Sequence, residues 1–401
     1  MSAEFLTPGY FYDPYETYRD FHANKPIFWH EGIKAWIISP YSEVEKGLSN
    51  SDLNAGERIA SASAHLSPQE IEEFSKIITT LKNWIVFQDP PNHTRLRKLV
   101  NKSFTPRTIE AFRPKVRALV DELVTSALKK KELDLVSELT FKIPALVICE
   151  LLGIPRERQD DVRLWSDAHA GFSASAQVSH EAAKKANNGS LEAEKYLFEL
   201  FDELRRNPGD NLLSRLVSMD INDDHLTDKE LAALTIQLFF AGFETTEGLM
   251  GNLILALHNN PEQKKLLLAD HSKTEAAVEE ALRYDSSILK QSRVASIDLD
   301  IGGHSIAKGD YCHFMIGAAN RDPSRYEQPD AFLINRLDLG HSSFGHGIHF
   351  CIGAPLARLE TKTLMEALLK RAPNMRVTQK EVSYPQLFAV RKPLRLEVSV
   401  N

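Results

Sequence analysis

The sequence predicts a mainly α-helical chain with a minority of small β-sheets, folded as one large compact domain over 1–401. Three observations carry this. Apolar residues recur at helical spacing along most of the chain. One segment, Leu234–Phe243, is apolar nearly all round, which suits a helix running through an interior. Strand-like alternation is confined to short runs, with a small β-rich lobe expected near the N-terminus.

Taken in order, residues 14–23, 41–49 and 68–82 read as short amphipathic helices, with strand-like Ala35-Trp36-Ile37-Ile38 between the first two. Asp89-Pro90-Pro91-Asn92 is a strong break, and Asn92 is suited to N-cap a helix carrying His93, Arg97 and Val100. Thr105-Pro106-Arg107 opens a long helix to about Lys130, and another runs from about Leu135 to Leu152, ending at Gly153. Residues 155–206 give two polar helices joined by small residues 171–177, a candidate mobile lid. Thr227-Asp-Lys-Glu230 is a capping box that starts a very long helix to about Asn259. Pro261 opens the next helix and 273–284 form another. Strands are expected near 296–301, 304–307 and 311–316, with Gly302-Gly303 as a hairpin turn, and again at 394–400. A helix with leucines at 356, 359, 364, 368 and 369 follows Cys351.

Composition narrows the function class. The chain is 43% hydrophobic and 26% charged, an ordinary balance for a globular protein. Its net charge of −7 argues against a nucleic-acid partner. Cys149, Cys312 and Cys351 are too far apart in sequence for a disulfide framework or a CxxC site, which points to a reducing, cytoplasmic setting. Met1–Asp13 lacks the apolar core of a signal peptide, and no run approaches the roughly 18 apolar residues of a membrane span. No membrane is expected.

Two stretches carry chemistry. In Phe344–Glu360, a Gly-rich loop with two histidines ends in Cys351 ahead of a helix, where backbone N–H groups and the helix dipole favour a thiolate. The loop alone leaves open a nucleophile, a redox thiol, a metal ligand or a buried structural cysteine. In Ala241-Gly242-Phe243-Glu244-Thr245-Thr246, a glycine, a carboxylate and two hydroxyls interrupt an apolar helix. A locally opened helix beside a small ligand is one reading; a kink with back-bonded threonines is the other. Glu280-x-x-Arg283 and His93-x-x-x-Arg97 each share one helix face, and Arg293 and His349 add cationic donors.

Jointly, in this order from His93 to Gly353, these residues resemble a soluble bacterial cytochrome P450 from end to end. Phe344-x-x-Gly347-x-His349-x-Cys351-x-Gly353 is similar to the family's haem loop. Ala241-Gly-x-Glu-Thr-Thr246 resembles its oxygen-activation motif, with Glu where many members have Asp, and Glu280, Arg283 and Arg336 resemble its buried ion-pair triad. The resemblance implies haem b held by Cys351 as axial thiolate. It implies that Phe344 shields that face, that Gly353 belongs to the loop, and that His93, Arg97, Arg293 and His349 pair with the propionates. Thr245 would steer a proton to bound dioxygen, Glu244 would link that point to bulk water, and Ala241 and Gly242 would leave room beside the ring. Glu280 and Arg283 would be structural. Ser286-Ser287 departs from the family's usual proline there.

By position, Trp84, Ile85, Val86, Gln237, Phe240, Leu289, Leu387 and Phe388 are expected to wall a substrate pocket, which suits a medium-sized apolar ligand with a polar handle. Lys290 joins them, facing either an acidic substrate group or the surface and propionate network. With no dinucleotide fingerprint, electrons are expected from an external ferredoxin or flavodoxin and its NAD(P)H reductase. Such a partner would dock on Arg95, Lys98, Lys102, Arg107 and Arg358. The expected activity is O2-dependent hydroxylation or epoxidation of a small molecule in secondary metabolism. The alternatives are a peroxide-driven peroxygenase and a non-catalytic haem or recruitment protein.

Overall fold

The structure, a computed structural model, describes residues 6–59, 66–173, 178–219 and 224–400. It divides into two compact units. One comprises Met1–Leu53, Pro114–Pro144 and Glu244–Asn401; the other comprises Asn54–Arg113 and Ala145–Phe243. The division falls inside the helix Asp228–Asn259, between Phe243 and Glu244.

The first unit holds the small sheets. Its strands are β1 (Ile27–His30), β2 (Ala35–Ile38), β3 (Leu53–Asn54, at the unit boundary), β4 (Glu132–Asp134), β5 (Gln291–Ala295), β6 (Leu299–Ile301), β7 (His304–Ile306), β8 (Tyr311–Phe314), β9 (Arg376–Val377) and β10 (Glu397–Ser399). They form a five-stranded sheet in the order β1-β2-β8-β5-β3, a three-stranded β4-β10-β9 and the hairpin β6-β7 turning at Gly302-Gly303. β2 pairs with β8 in parallel and with β1 antiparallel. Ala35, Ile37 and Ile38 are fully buried, and the helix Tyr41–Ser49 covers this sheet with Val44 and Leu48. Gly47 permits that packing: a Cβ there would stand 2.1 Å from the Phe314 ring.

A buried ion cluster fixes the middle of this unit. Arg283 donates through Nε and Nη2 to the two oxygens of Glu280, both bonds 2.8 Å long, and Arg336 Nε adds a 3.2 Å contact. The remaining Arg283 donors reach the carbonyls of Asn320, Pro329 and Ala331, so the side chain ties its helix to the 320–331 segment.

The second unit is helical. Gln159–Ser173 packs on His180–Arg206, whose N-cap Ser179 accepts from Ala182 N. Buried His169 joins them, with Nδ1 at the Trp165 carbonyl and Nε2 2.9 Å from Ser190 Oγ. Burial pushes this imidazole down to about 4.

Several sequence expectations need correction. Residues 68–82 form two helices, Pro68–Glu73 and Ser75–Lys82, because fully buried Phe74 turns the chain between them. The 135–152 segment begins as a π-helical turn, Val136–Thr140, before Lys142–Leu152. Asn92 is the first helical residue and not the cap; its amide donates to Gln88 Oε1. The anticipated lid begins as a continuation of Gln159–Ser173, and 174–177 lie outside the described residues. β5, which carries Arg293, was not anticipated.

Candidate active site

The helix Asp228–Asn259 starts at the expected capping box: Glu230 N donates to Thr227 Oγ1, and Thr227 N donates to Glu230 Oε2. It is α-helical throughout, so the expected local opening is absent. Gly242 serves close packing instead, since a Cβ there would sit 3.0 Å from Ile148 Cδ1. From Leu231 to Leu257 every residue is buried except Gln237, Phe240, Ala241, Gly242 and Thr245. Spacings of three, four and eight residues put these on one face as a single accessible stripe. All five had been singled out from sequence.

Within the second unit, Gln237 Oε1 accepts from Ile85 N at 2.7 Å, and Trp84 stacks on Phe240 with centroids 5.5 Å apart. Trp84 also stacks near Phe87 and His169. The Trp84 indole N–H is buried with no acceptor among the described residues, whereas Val86 is half-buried and its carbonyl accepts from Arg58. His93, 2% exposed, and Arg97 share the helix Asn92–Ser103, whose entry is fixed by His93 N donating to the Asp89 carbonyl.

In the first unit, the loop Phe344–Cys351 turns through Gly345 (φ +71) and Gly347 (φ +67), a left-handed backbone that glycine adopts without strain. Its close approach to Tyr41–Ser49 also requires glycine, because a Cβ on Gly347 would stand 2.9 Å from Ser49 Cα. Cys351 N donates to the Phe344 carbonyl at 2.9 Å, closing the loop just ahead of the helix Ala354–Arg371, which begins after Gly353. Cys149 and Cys312 are buried, and burial pushes both thiols up to about 12. Cys351 alone is partly accessible. His349 ends a single 3-10 turn, and Arg293 on β5 donates Nη1 to the Ser292 carbonyl. This donor set fits a haem b in its chemistry: one accessible sulfur just ahead of a helix N-terminus, and imidazole and guanidinium side chains of the kind that pair with its acid groups.

Lys290 donates to Ser292 Oγ at 3.1 Å and lies 4.6 Å from the centroid of Phe388, with Leu289 and Phe388 buried and Leu387 half-buried. Glu244 is buried and off the accessible stripe; Lys392 Nζ stands 2.7 Å from its Oε2 and 2.7 Å from Glu247 Oε2. Burial pulls the Lys392 ammonium down, but the two carboxylates outweigh it and raise its pKa well above the usual lysine value. The sequence reading missed Lys392, because nothing local links Arg391-Lys-Pro393 to the distant helix.

Two cations of the expected docking face are already engaged. Arg95 pairs with Asp224 and Glu230. Arg358 holds Glu279 bidentately at 2.6 and 2.8 Å and lies over the Phe344 ring. Burial would raise the Glu279 carboxyl, yet Arg358 and His341 bring it down to about 2. Lys98, Lys102 and Arg107 are exposed.

Comparison with known proteins accords with this geometry. The cytochrome P450 family pattern matches residues 61–395. The chain is 37% identical over 347 residues to cytochrome P450 107B1 of Saccharopolyspora erythraea, covering 86% of this chain and 84% of that protein. It is 33% identical over 400 residues to the biotin biosynthesis cytochrome P450 of Bacillus subtilis, covering 99% and 98%. The solved structure of P450BioI with hexadec-9Z-enoic acid ligated acyl carrier protein superposes with a TM-score of 0.92 at 31% identity, covering 98% of this chain and 99% of that one. No helix among the described residues is long and apolar enough to cross a membrane. The chain belongs to the cytochrome P450 family, and it is a haem-dependent monooxygenase.

Proposed function

We propose that this monooxygenase, a single P450 domain over 1–401 acting in the cytoplasm, hydroxylates or epoxidises a medium-sized apolar molecule that carries one hydrogen-bond acceptor. The carrying observation is the accessible stripe Gln237, Phe240, Ala241, Gly242 and Thr245 on an otherwise buried helix. A ligand against this stripe meets apolar surface and one amide. The bond from Ile85 N fixes the orientation of the Gln237 amide with its oxygen engaged, which leaves the NH2 as the donor end, and the buried Trp84 N–H is a further donor without an acceptor among the described residues. An acceptor oxygen on the ligand is therefore favoured over a donor. The P450BioI neighbour, solved with an acyl chain on its carrier protein, supports a chain-like apolar substrate.

Cys351 would hold the haem iron, with Phe344 covering the sulfur side and Gly353 closing the loop ahead of the helix Ala354–Arg371. His93, Arg97, Arg293 and His349 would hold the propionates. Bound there, haem b supplies the iron at which dioxygen is reduced and one oxygen atom transferred. Small Ala241 leaves space on the helix face, Gly242 lets the helix pack on Ile148, and Thr245 Oγ1 holds and passes a proton received from Glu244. Lys290 belongs to the wall, its ammonium resting on Phe388 and donating to Ser292. Electrons would come from an acidic ferredoxin or flavodoxin with its NAD(P)H reductase, drawn to exposed Lys98, Lys102 and Arg107.

The test is reconstitution with a ferredoxin, its reductase and NADH, using ligands found by a Soret-shift screen. One product per NADH, with one oxygen atom from labelled O2, supports the reading. Product formed only with added hydrogen peroxide would replace it with the peroxygenase alternative. Haem binding without turnover under either condition would leave a non-catalytic haem protein.

A further inference from the structure

Glu244 does not stand open to solvent, as a simple relay carboxylate would. It shares one ammonium with a second carboxylate. Lys392 Nζ is 2.7 Å from both Glu244 Oε2 and Glu247 Oε2, and the three side chains are 12%, 1% and 5% exposed respectively. The lysine is held there by its backbone. Gly248 and Gly251 let residues 391–393 lie directly against the helix, since Cβ atoms there would sit 2.8 Å from the Arg391 carbonyl and 2.5 Å from Pro393 Cγ. Arg391 N donates to the Ser287 carbonyl at 2.8 Å, and Arg391 Nε donates to Asp285 Oδ1 at 2.8 Å. Asn252 Nδ2, on the same helix, donates to the Asp285 carbonyl at 2.9 Å. The segment is thus pinned on both sides, with Lys392 aimed at residues 244 and 247.

A buried ammonium that lost its only carboxylate would carry a large desolvation penalty. With two carboxylates on it, either can leave and the charge stays paired. We propose that Lys392 is the positioning residue that gates proton delivery by Glu244, and that Glu247 keeps the ammonium paired while Glu244 is away. In the resting position Glu244 is a carboxylate on Lys392. It leaves, takes a proton supplied by bulk water, gives that proton to Thr245 Oγ1 as the hydroxyl passes its own proton on to the oxygen being reduced, and returns as a carboxylate. No proton is taken from Lys392, whose two anionic partners hold it protonated. The inference rests on Glu244 being the relay carboxylate.

The experiment compares wild-type holoenzyme with Lys392→Met, Lys392→Arg, Glu247→Gln and Glu244→Gln. Infrared spectra of protein labelled with 13C-carboxyl glutamate report the protonation of Glu244 without turnover, assigned by its loss in Glu244→Gln. The gate predicts a protonated Glu244 band in Lys392→Met near neutral pH, and none in the wild type or in Lys392→Arg. In turnover with ferredoxin and NADH, Lys392→Met should lose about tenfold in product per NADH, below the ~10²–10⁴ of a proton-transferring group itself. The electrons should leave as hydrogen peroxide, the solvent isotope effect should grow, and Lys392→Arg should restore coupling. Glu247→Gln should slow coupled turnover with Glu244 still ionised, because Lys392 then holds Glu244 alone. If Glu244→Gln uncouples the enzyme but Lys392→Met leaves coupling and the infrared band unchanged, the gate is overturned and the relay stands. If Glu244→Gln also changes nothing, both are overturned.

Discussion

Glu280→Gln keeps the shape of the buried ion cluster and removes only its charge. Five contacts converge on the Glu280 carboxylate from Arg283, Leu333 N and Arg336. The Arg283 and Arg336 side chains are 0% and 7% exposed, so the amide leaves two guanidinium groups facing a neutral partner out of water. Breaking a buried pair by removing one partner costs about 3–5 kcal/mol. Set against a whole-protein stability of roughly 5–15 kcal/mol, that is from about a fifth of the total to all of it. Arg283→Lys should fall close to the same loss, since one ammonium cannot reproduce the five bonds made by the Arg283 fork. The assay is urea unfolding at saturating haem, followed by both far-UV circular dichroism and the Soret band, because cofactor binding contributes to apparent stability. Turnover per folded, haem-loaded molecule should stay within about twofold of wild type, as expected where the lost interaction is not made in the transition state. A Glu280→Gln protein within about 1 kcal/mol of wild type, the median worth of an exposed pair, would refute the reasoning. So would a fully stable variant that had lost turnover, which would move the cluster from architecture to chemistry.

His169 makes stability pH-dependent. Its folded value of about 4 lies below the ordinary 6.5, so the unfolded chain takes up a proton first. The contribution is present above pH 6.5 and lost as pH falls toward 4, about 3 kcal/mol in all. Urea unfolding at several pH values should show a shallower acid slope for His169→Gln; an unchanged slope would contradict the assignment. Gly347→Ala should cost the left-handed penalty of about 1–2 kcal/mol and more for the clash with Ser49, loosening haem retention. Gly303→Ala has a similar φ of +83 with open space around it, so it should show the backbone penalty alone. Equal losses in thermal melts and in haem transfer to apomyoglobin would show that loop packing is unimportant.

What could be read from the sequence was local. The strand at Ala35–Ile38, the capping box at Thr227 and the helix after Cys351 each depend on neighbours a few residues away, and each appears where expected. The accessible stripe was only partly legible: Gln237, Gly242 and Thr245 interrupt the apolar run, but so do Thr235, Glu244, Thr246 and Glu247, which are buried. What could not be read was pairing at long range. β5 follows no alternation, since four of its five residues are buried and polar Ser292 and Arg293 are among them. It is a strand because β8 supplies its hydrogen bonds. The opened helix, one of two readings of Gly242 and its polar neighbours, rested on propensity, whereas the missing side chain at Gly242 accommodates Ile148. Arg95 and Arg358 looked like free surface charge until Asp224, Glu230 and Glu279 were seen beside them. Lys392 was invisible for the same reason: its carboxylates lie on a helix far upstream.

The carbon monoxide difference spectrum of the dithionite-reduced protein, taken alongside that of Cys351→Ser, tests the central claim most directly. The wild type should give the red-shifted Soret band of a thiolate-ligated ferrous carbonyl. Cys351→Ser should lose that band while keeping its far-UV circular dichroism, since only one partly accessible sulfur changes. A wild-type band typical of imidazole ligation, or a Cys351→Ser protein that keeps the thiolate band, would contradict the account.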